Sequence, residues 1–136
     1  MTSPARRTRD QHDRGSVTLE VVILAPGILL LLAVILQAAW WYMARSAAHA
    51  AAAEGVRAAR ILGAPPGAGA DAARRFAADV AAGQLRQVTA DTSGSDATTV
   101  AVTVRAQAPT FLPGFDLGVS QTVRAPRERF TVPGER

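Results

Sequence analysis

The chain has 136 residues, a formal net charge of +4 and no cysteine, which excludes disulfides, thiolate zinc sites and thiol catalysis. All 15 basic residues are arginine and none is lysine, which together with the abundant alanine reads as the coding bias of a GC-rich bacterial genome. The arginines are scattered in small groups with Asp or Glu nearby rather than gathered in a basic stripe interleaved with aromatics, so the composition argues against nucleic-acid binding.

The opening 14 residues are polar and carry Arg6, Arg7, Arg9 and Arg14. The run Gly15-Ser16-Val17-Thr18-Leu19-Glu20 then sets a carboxylate five places after a glycine, at the mouth of a long apolar stretch. An ionisable group there faces protein, water or an opposite charge rather than lipid. The plainer alternative is a glutamate at the headgroup level that simply extends to water.

From Val21 to Ala44 the strongly polar side chain before the aromatic cluster is Gln37, and roughly 24 residues at helical rise reach about 36 Å. That spans a hydrocarbon core of about 30 Å. Trp40, Trp41 and Tyr42 stand where the segment emerges and read, with Arg45 behind them, as interface anchors. Pro26 and Gly27 fall six residues past Glu20, where proline removes a backbone hydrogen bond and is expected to kink the helix. Membrane helices also simply tolerate Pro and Gly, and both readings stay open. Gln37 reads as a helix-helix contact.

A buried core helix is the competing reading of this stretch, and the rest of the chain is too small to cover it on all sides. A cleaved secretory signal, with small-residue sites such as Ala47-Ala48-His49-Ala50, has an apolar run of only about 7 to 15 residues and leaves Glu20 without a purpose. Arg6, Arg7, Arg9 and Arg14 against Arg45, Arg57 and Arg60 favour a cytoplasmic start by a narrow margin. The expected topology is therefore a single pass through the cytoplasmic (inner) membrane, with the N-terminus cytoplasmic and the C-terminal part outside.

Beyond Arg45 the alanine-rich run to Leu62 should continue the helix as a stalk, since alanine has the best helix propensity and Gly55 is the sole breaker. Ala44, Ala48 and Ala52 recur four apart and offer a smooth face for close helix approach, although coding bias alone explains them equally well. The segment Gly63-Ala64-Pro65-Pro66-Gly67-Ala68-Gly69 interrupts the helix. A second helix follows from about Asp71, with Phe76 and Val80 on one face and Arg75 four residues from both Asp71 and Asp79. Ser93-Gly94-Ser95-Asp96 makes a turn, and Asp91 with Asp96 in this loop offers at best a weak cation site.

Val100, Val102, Val104 and Ala106 alternate with polar or small residues as in a half-buried strand. Pro109 ends it, a link containing Phe111, Leu112 and Phe115 follows, and a second strand lies near Gly118 to Ala125. The expected fold is α+β: a long transmembrane helix continuing into a stalk, and a second helix packed through Phe76 and Val80 on a small antiparallel hairpin or sheet. The expected divisions are a leader 1–15, transmembrane helix 16–44, stalk 45–62, linker 63–70, exported domain 71–126 and a flexible end 127–136.

Catalytic chemistry is missing from the pattern. His12 lies in the leader and His49 beside the membrane, so neither serves a Ser/His/Asp triad in the folded part. Gly67-Ala68-Gly69 lacks the strand, spacing and lysine of a phosphate loop. No enzyme activity, metal, cofactor or small-molecule substrate is expected.

The arginine leader ending in Arg14-Gly15-Ser16, the entry Val17-Thr18-Leu19-Glu20-Val21, Pro26 after it, and a compact C-terminal part with a Thr/Val strand together resemble the TadE-like family of the tight-adherence (Flp) pilus apparatus, within the type IV pilin-like proteins. The resemblance implies that a prepilin peptidase cuts between Gly15 and Ser16, leaving the apolar helix in place. Ser16 stands where other pilins commonly start with an aromatic or large apolar residue. The implied partners are that peptidase, other pilin-like subunits, the pilus assembly platform and membrane lipid, and the implied role is a minor subunit supporting pilus assembly. Glu20 would then meet the new α-amino group of a neighbouring subunit, each offsetting the other's cost of leaving water. The alternative function is a single-pass anchored envelope protein whose outer domain binds a ligand or protein unrelated to pili.

Overall fold

The computed structural model describes residues 10–111 and 114–127, with side chains from Glu20 onward. It contains α1 (Asp10–Arg60), α2 (Ala68–Asp79), β1 (Arg86–Asp91), β2 (Thr99–Ala108) and β3 (Leu117–Pro126), an α+β chain as expected. Two compact units divide it, Met1–Leu36 and Gln37–Arg136. The boundary falls inside α1, within the stretch that the sequence assigns to the transmembrane helix.

In the first unit α1 continues through Pro26. The large apolar side chains of Val21, Val22, Ile23, Leu24, Ile28 to Leu32 and Val34 to Leu36 are all exposed, so this part of the helix has no buried face of its own.

In the second unit α1 buries a stripe at helical spacing: Gln37, Ala44, Ala48, Ala51, Ala52 and Val56 are buried and Trp41 is packed against the core. The three-and-four recurrence places them on one face. Small side chains let the helix lie close against a sheet of order β1-β2-β3, whose central strand offers the fully buried Val100, Val102 and Val104. The small-residue face of the alanine run thus packs within its own unit, with Ala44, Ala48 and Ala52 all in the core.

Strands β2 and β3 pair antiparallel from Thr99↔Pro126 to Ala108↔Leu117 without a register break. β2 runs opposite to α1, because Pro109 at its end meets Gln37 while Val102 lies against Gly55. β1 adds a third strand that the sequence reading leaves out, pairing with β2 from Arg86↔Gln107 to Asp91↔Thr103. Its register shifts between Arg86 and Thr89, where Gln87 takes a φ of 50°, a conformation uncommon outside glycine.

The second helix starts at Ala68, earlier than Asp71, because Gly67 at φ 88° turns the chain and the Asp71 N–H donates to the Gly67 carbonyl over 3.0 Å. Its buried side is Ala70, Ala73 and Ala77, with Phe76 packed beside them. Val80 is 63% exposed, contrary to its expected place on the sheet. The helix ends at Asp79, and Ala81 and Leu85 take the buried places beyond it. Asp71 pairs with Arg74 at 2.6 Å, three residues on, rather than with Arg75, an exposed contact of less than about 1 kcal/mol.

Candidate functional site

The chemistry of interest is concentrated in α1. Gly15 and Ser16 lie near its beginning, and their side chains fall outside the described residues. Glu20, the first residue with a described side chain, is exposed. Behind it the exposed apolar side chains up to Leu36 cover every direction around the helix. Contiguous apolar surface of this extent is not kept in water and marks contact with lipid or with other helices. α1 is the one described helix long and apolar enough to cross a membrane. Pro26 lies within it, and a Cβ on Gly27 would meet open space, leaving a smooth notch beside the proline.

At the start of the second unit, Gln37 is 7% exposed, and its Nε2 donates to the Pro109 carbonyl oxygen over 3.2 Å. Its Oε1 is buried with no hydrogen-bond partner. The expected helix-helix contact of Gln37 is therefore a tie to the β2–β3 connection of its own chain. One turn on, the aromatic cluster divides. Trp41 packs against the core, with the Arg45 guanidinium 5.7 Å from its ring centroid, within cation–π range. Trp40 is about half exposed and Tyr42 is 70% exposed. Periodicity separates them: Trp41 lies four residues after Gln37 on the same face, and its two neighbours turn away from it.

The loop carboxylates are committed to holding turns. Asp91 Oδ1 accepts from Ser93 N (3.2 Å) and Ser93 Oγ (2.6 Å), and its Oδ2 pairs with Arg105 at 2.6 Å, joining β1 to β2. Asp96 Oδ1 accepts from the N–H and hydroxyl of Thr98 and from the N–H of Thr99. These donors hold the Asp96 carboxyl below its ordinary value, and for Asp91 the Ser93 hydroxyl followed by Arg105 does the same. Hydrogen bonding to the charged form is the cause in both cases. Ser95 Oγ then bridges to Ala101, accepting its N–H and donating to its carbonyl, which folds the turn over β2.

Among the described residues no group of three or more His, Cys, Asp or Glu side chains could hold a metal ion. Surface depressions among the described residues include one lined by Gln87, Arg105, Gln107 and Ser120 and another lined by Glu54, Arg75, Phe76 and Asp79. Neither brings together a nucleophile and a base. Sequence reasoning singled out Glu20, Pro26 and the aromatic cluster but missed the Gln37 tie, whose signal was a lone amide four residues before a tryptophan.

No curated protein and no solved structure matches the chain. A protein-family model does match, over residues 15–57, from the glycine of the entry motif to the part of α1 that packs on the sheet. Over these residues the chain is similar to TadE-like proteins.

Proposed function

We propose that the chain is a single-pass minor pilin-like subunit that supports assembly of a tight-adherence pilus. The observation that carries this reading is the Gly15-to-Glu20 entry, within the TadE-like region, leading straight into a helix whose apolar side chains are exposed all round. In this reading a prepilin peptidase cuts between Gly15 and Ser16 at the cytoplasmic face of the inner membrane. The expected span of 16–44 ends in this reading at Leu36, because Gln37, Trp41 and Ala44 pack within the second unit. The helix from Ser16 to Leu36, about 21 residues and about 31 Å at helical rise, stays in the bilayer, close to the roughly 30 Å of the hydrocarbon core. The second unit stands outside.

Glu20 lies one turn into that helix from the new terminus. In lipid a lone carboxylate is costly, and the cationic α-amino group of Ser16 on a neighbouring subunit is the partner of opposite charge that assembly supplies. Pro26 and Gly27, where the helix lacks one backbone donor and one side chain, provide a point of bending or close helix packing. The partners are other pilin-like subunits and the assembly platform, and the protein works by contact rather than by catalysis.

The test is Glu20→Ala in the native cell. The variant is expected to stay in the membrane fraction while pilus yield and co-purification with pilin-like subunits fall. Unchanged pilus yield would overturn the role given to Glu20. A gene neighbourhood without a secretion ATPase, a platform protein or other short pilin-like frames would favour the anchored envelope protein instead.

A further inference from the structure

The face of the sheet turned away from the buried valines carries polar side chains that the rest of the fold leaves unused. Gln107 stands beside Gly118 and Arg105 beside Ser120 in the β2–β3 register, so the four share one face, opposite the buried Val104 and Ala106. Gln87 joins them from β1, at the place where that strand's register shifts. Among the described residues it is the one non-glycine residue with a positive φ. Strain of this kind costs free energy and gathers where a bulge has to aim a side chain. These five residues help line a depression of about 420 Å³, a volume within the range of small-molecule sites.

The Arg105 Nη1 is held by Asp91 Oδ2 at 2.6 Å, so the guanidinium is fixed in place with its charge offset, and its other N–H groups remain as donors. The Gln87 and Gln107 amides and the Ser120 hydroxyl make no side-chain hydrogen bond within the described residues. Farther along the same face the hydroxyls are paired, Thr103 with Thr122 at 2.8 Å. Gly118 adds open space, since a Cβ there would meet nothing within 4 Å.

We propose that this depression binds a neutral saccharide, one ring of which lies over Gly118 with its hydroxyl groups against the two amides, the Arg105 guanidinium and the Ser120 hydroxyl. A sugar hydroxyl both donates and accepts, and so do an amide and a serine hydroxyl. A phosphate or carboxylate only accepts, so it would leave both amide oxygens unmatched and would find the Arg105 charge already taken by Asp91. An apolar ligand would cover the polar groups without giving them partners. The lining has no aromatic ring, so affinity rests on hydrogen bonds and is of millimolar order.

The test is titration of the full chain, labelled with nitrogen-15, prepared without sugar-headed detergent and held in phosphatidylcholine nanodiscs. The probes are N-acetylglucosamine trimer, maltotriose and inorganic phosphate, each added separately. Saturable shifts of the Gln87 and Gln107 side-chain amide signals and of the Ser120 backbone signal are expected with one or both sugars, while the Thr98 N–H, before the other end of β2, stays unmoved. Which sugar acts separates a glycan of N-acetylated sugars from a plain glucose polymer. Gly118→Leu fills open space, so it is expected to abolish the shifts with the thermal midpoint unchanged. Gln107→Ala should weaken binding about three- to tenfold. No saturable shift with either sugar, shifts with phosphate alone, or sugar shifts that survive Gly118→Leu would each overturn the proposal.

Discussion

Gly55 of α1 and Gly69 of α2 meet backbone to backbone: a Cβ on Gly55 would lie 2.6 Å from the Gly69 carbonyl oxygen and 2.9 Å from Val102 Cγ1. One on Gly69 would lie 2.9 Å from the Gly55 carbonyl oxygen. The two helices therefore touch over the centre of β2 only because neither residue has a side chain. Glycine inside a helix costs up to about 1 kcal/mol in propensity relative to alanine, yet here the close approach outweighs that. Gly55→Ala is expected to destabilise the second unit by about 1 to 3 kcal/mol through overpacking. Gly27→Ala, which meets open space, should leave the unit unchanged. Denaturant unfolding of the detergent-solubilised chain, followed by tryptophan fluorescence, distinguishes the two.

The tie between Gln37 and Pro109 predicts a graded series. Gln37→Leu keeps the volume and removes one hydrogen bond from an amide whose Oε1 has no partner, so the expected loss is no more than about 1 kcal/mol. Gln37→Glu places a charge at the same buried position and should cost clearly more. Equal unfolding midpoints for the two variants would show that the site is open to water.

Trp41 and Tyr42 are adjacent in the chain and unlike in the fold. Trp41→Ala removes a ring packed on the core and stacked near Arg45, with an expected loss of about 1 to 3 kcal/mol in the second unit. Tyr42→Ala, at an exposed position, should change the stability of that unit by no more than about 0.5 kcal/mol. Thermal unfolding of each variant in detergent, read by circular dichroism, gives both values.

The turn around Asp96 has a pH signature. Its carboxyl is held below the ordinary aspartate value of 3.8 by the Thr98 N–H, the Thr98 hydroxyl and the Thr99 N–H, in that order. A depressed folded value means that the turn's contribution is fully present above pH 4 and is lost as pH falls through the lower folded value. The Thr98 and Thr99 amide resonances should therefore titrate with a midpoint below 3.8. In Asp96→Ala those two amides should lose protection from exchange at neutral pH.

Much of this architecture was legible because the physical signals are strong and local. Apolar continuity marks α1, alternation marks β2, and the Pro/Gly run before Ala68 marks the break between helices. β1 is not legible: of its six residues only Val88 and Thr89 favour a sheet, none is buried, and the strand's place at the edge depends on pairing with β2 and on the Asp91–Arg105 contact. Val80 leaves the apolar face because α2 ends at Asp79, one residue before it, so helical periodicity no longer sets its direction. Around α1, composition shows where an apolar stretch runs but not where a distant segment folds back on it. The contacts of Gln37 with Pro109 and of Trp41 with the core are therefore absent from the local pattern.

The central proposal is that the chain is processed by a prepilin peptidase at Gly15–Ser16 and stays anchored in the membrane, and the N-terminus of the protein in the cell tests it most directly. Intact-mass measurement of the chain purified from membranes should give a chain beginning at Ser16 where prepilin peptidase is active, and at Met1 or Thr2 where the peptidase is deleted. A chain beginning at Met1 or Thr2 in both would contradict it.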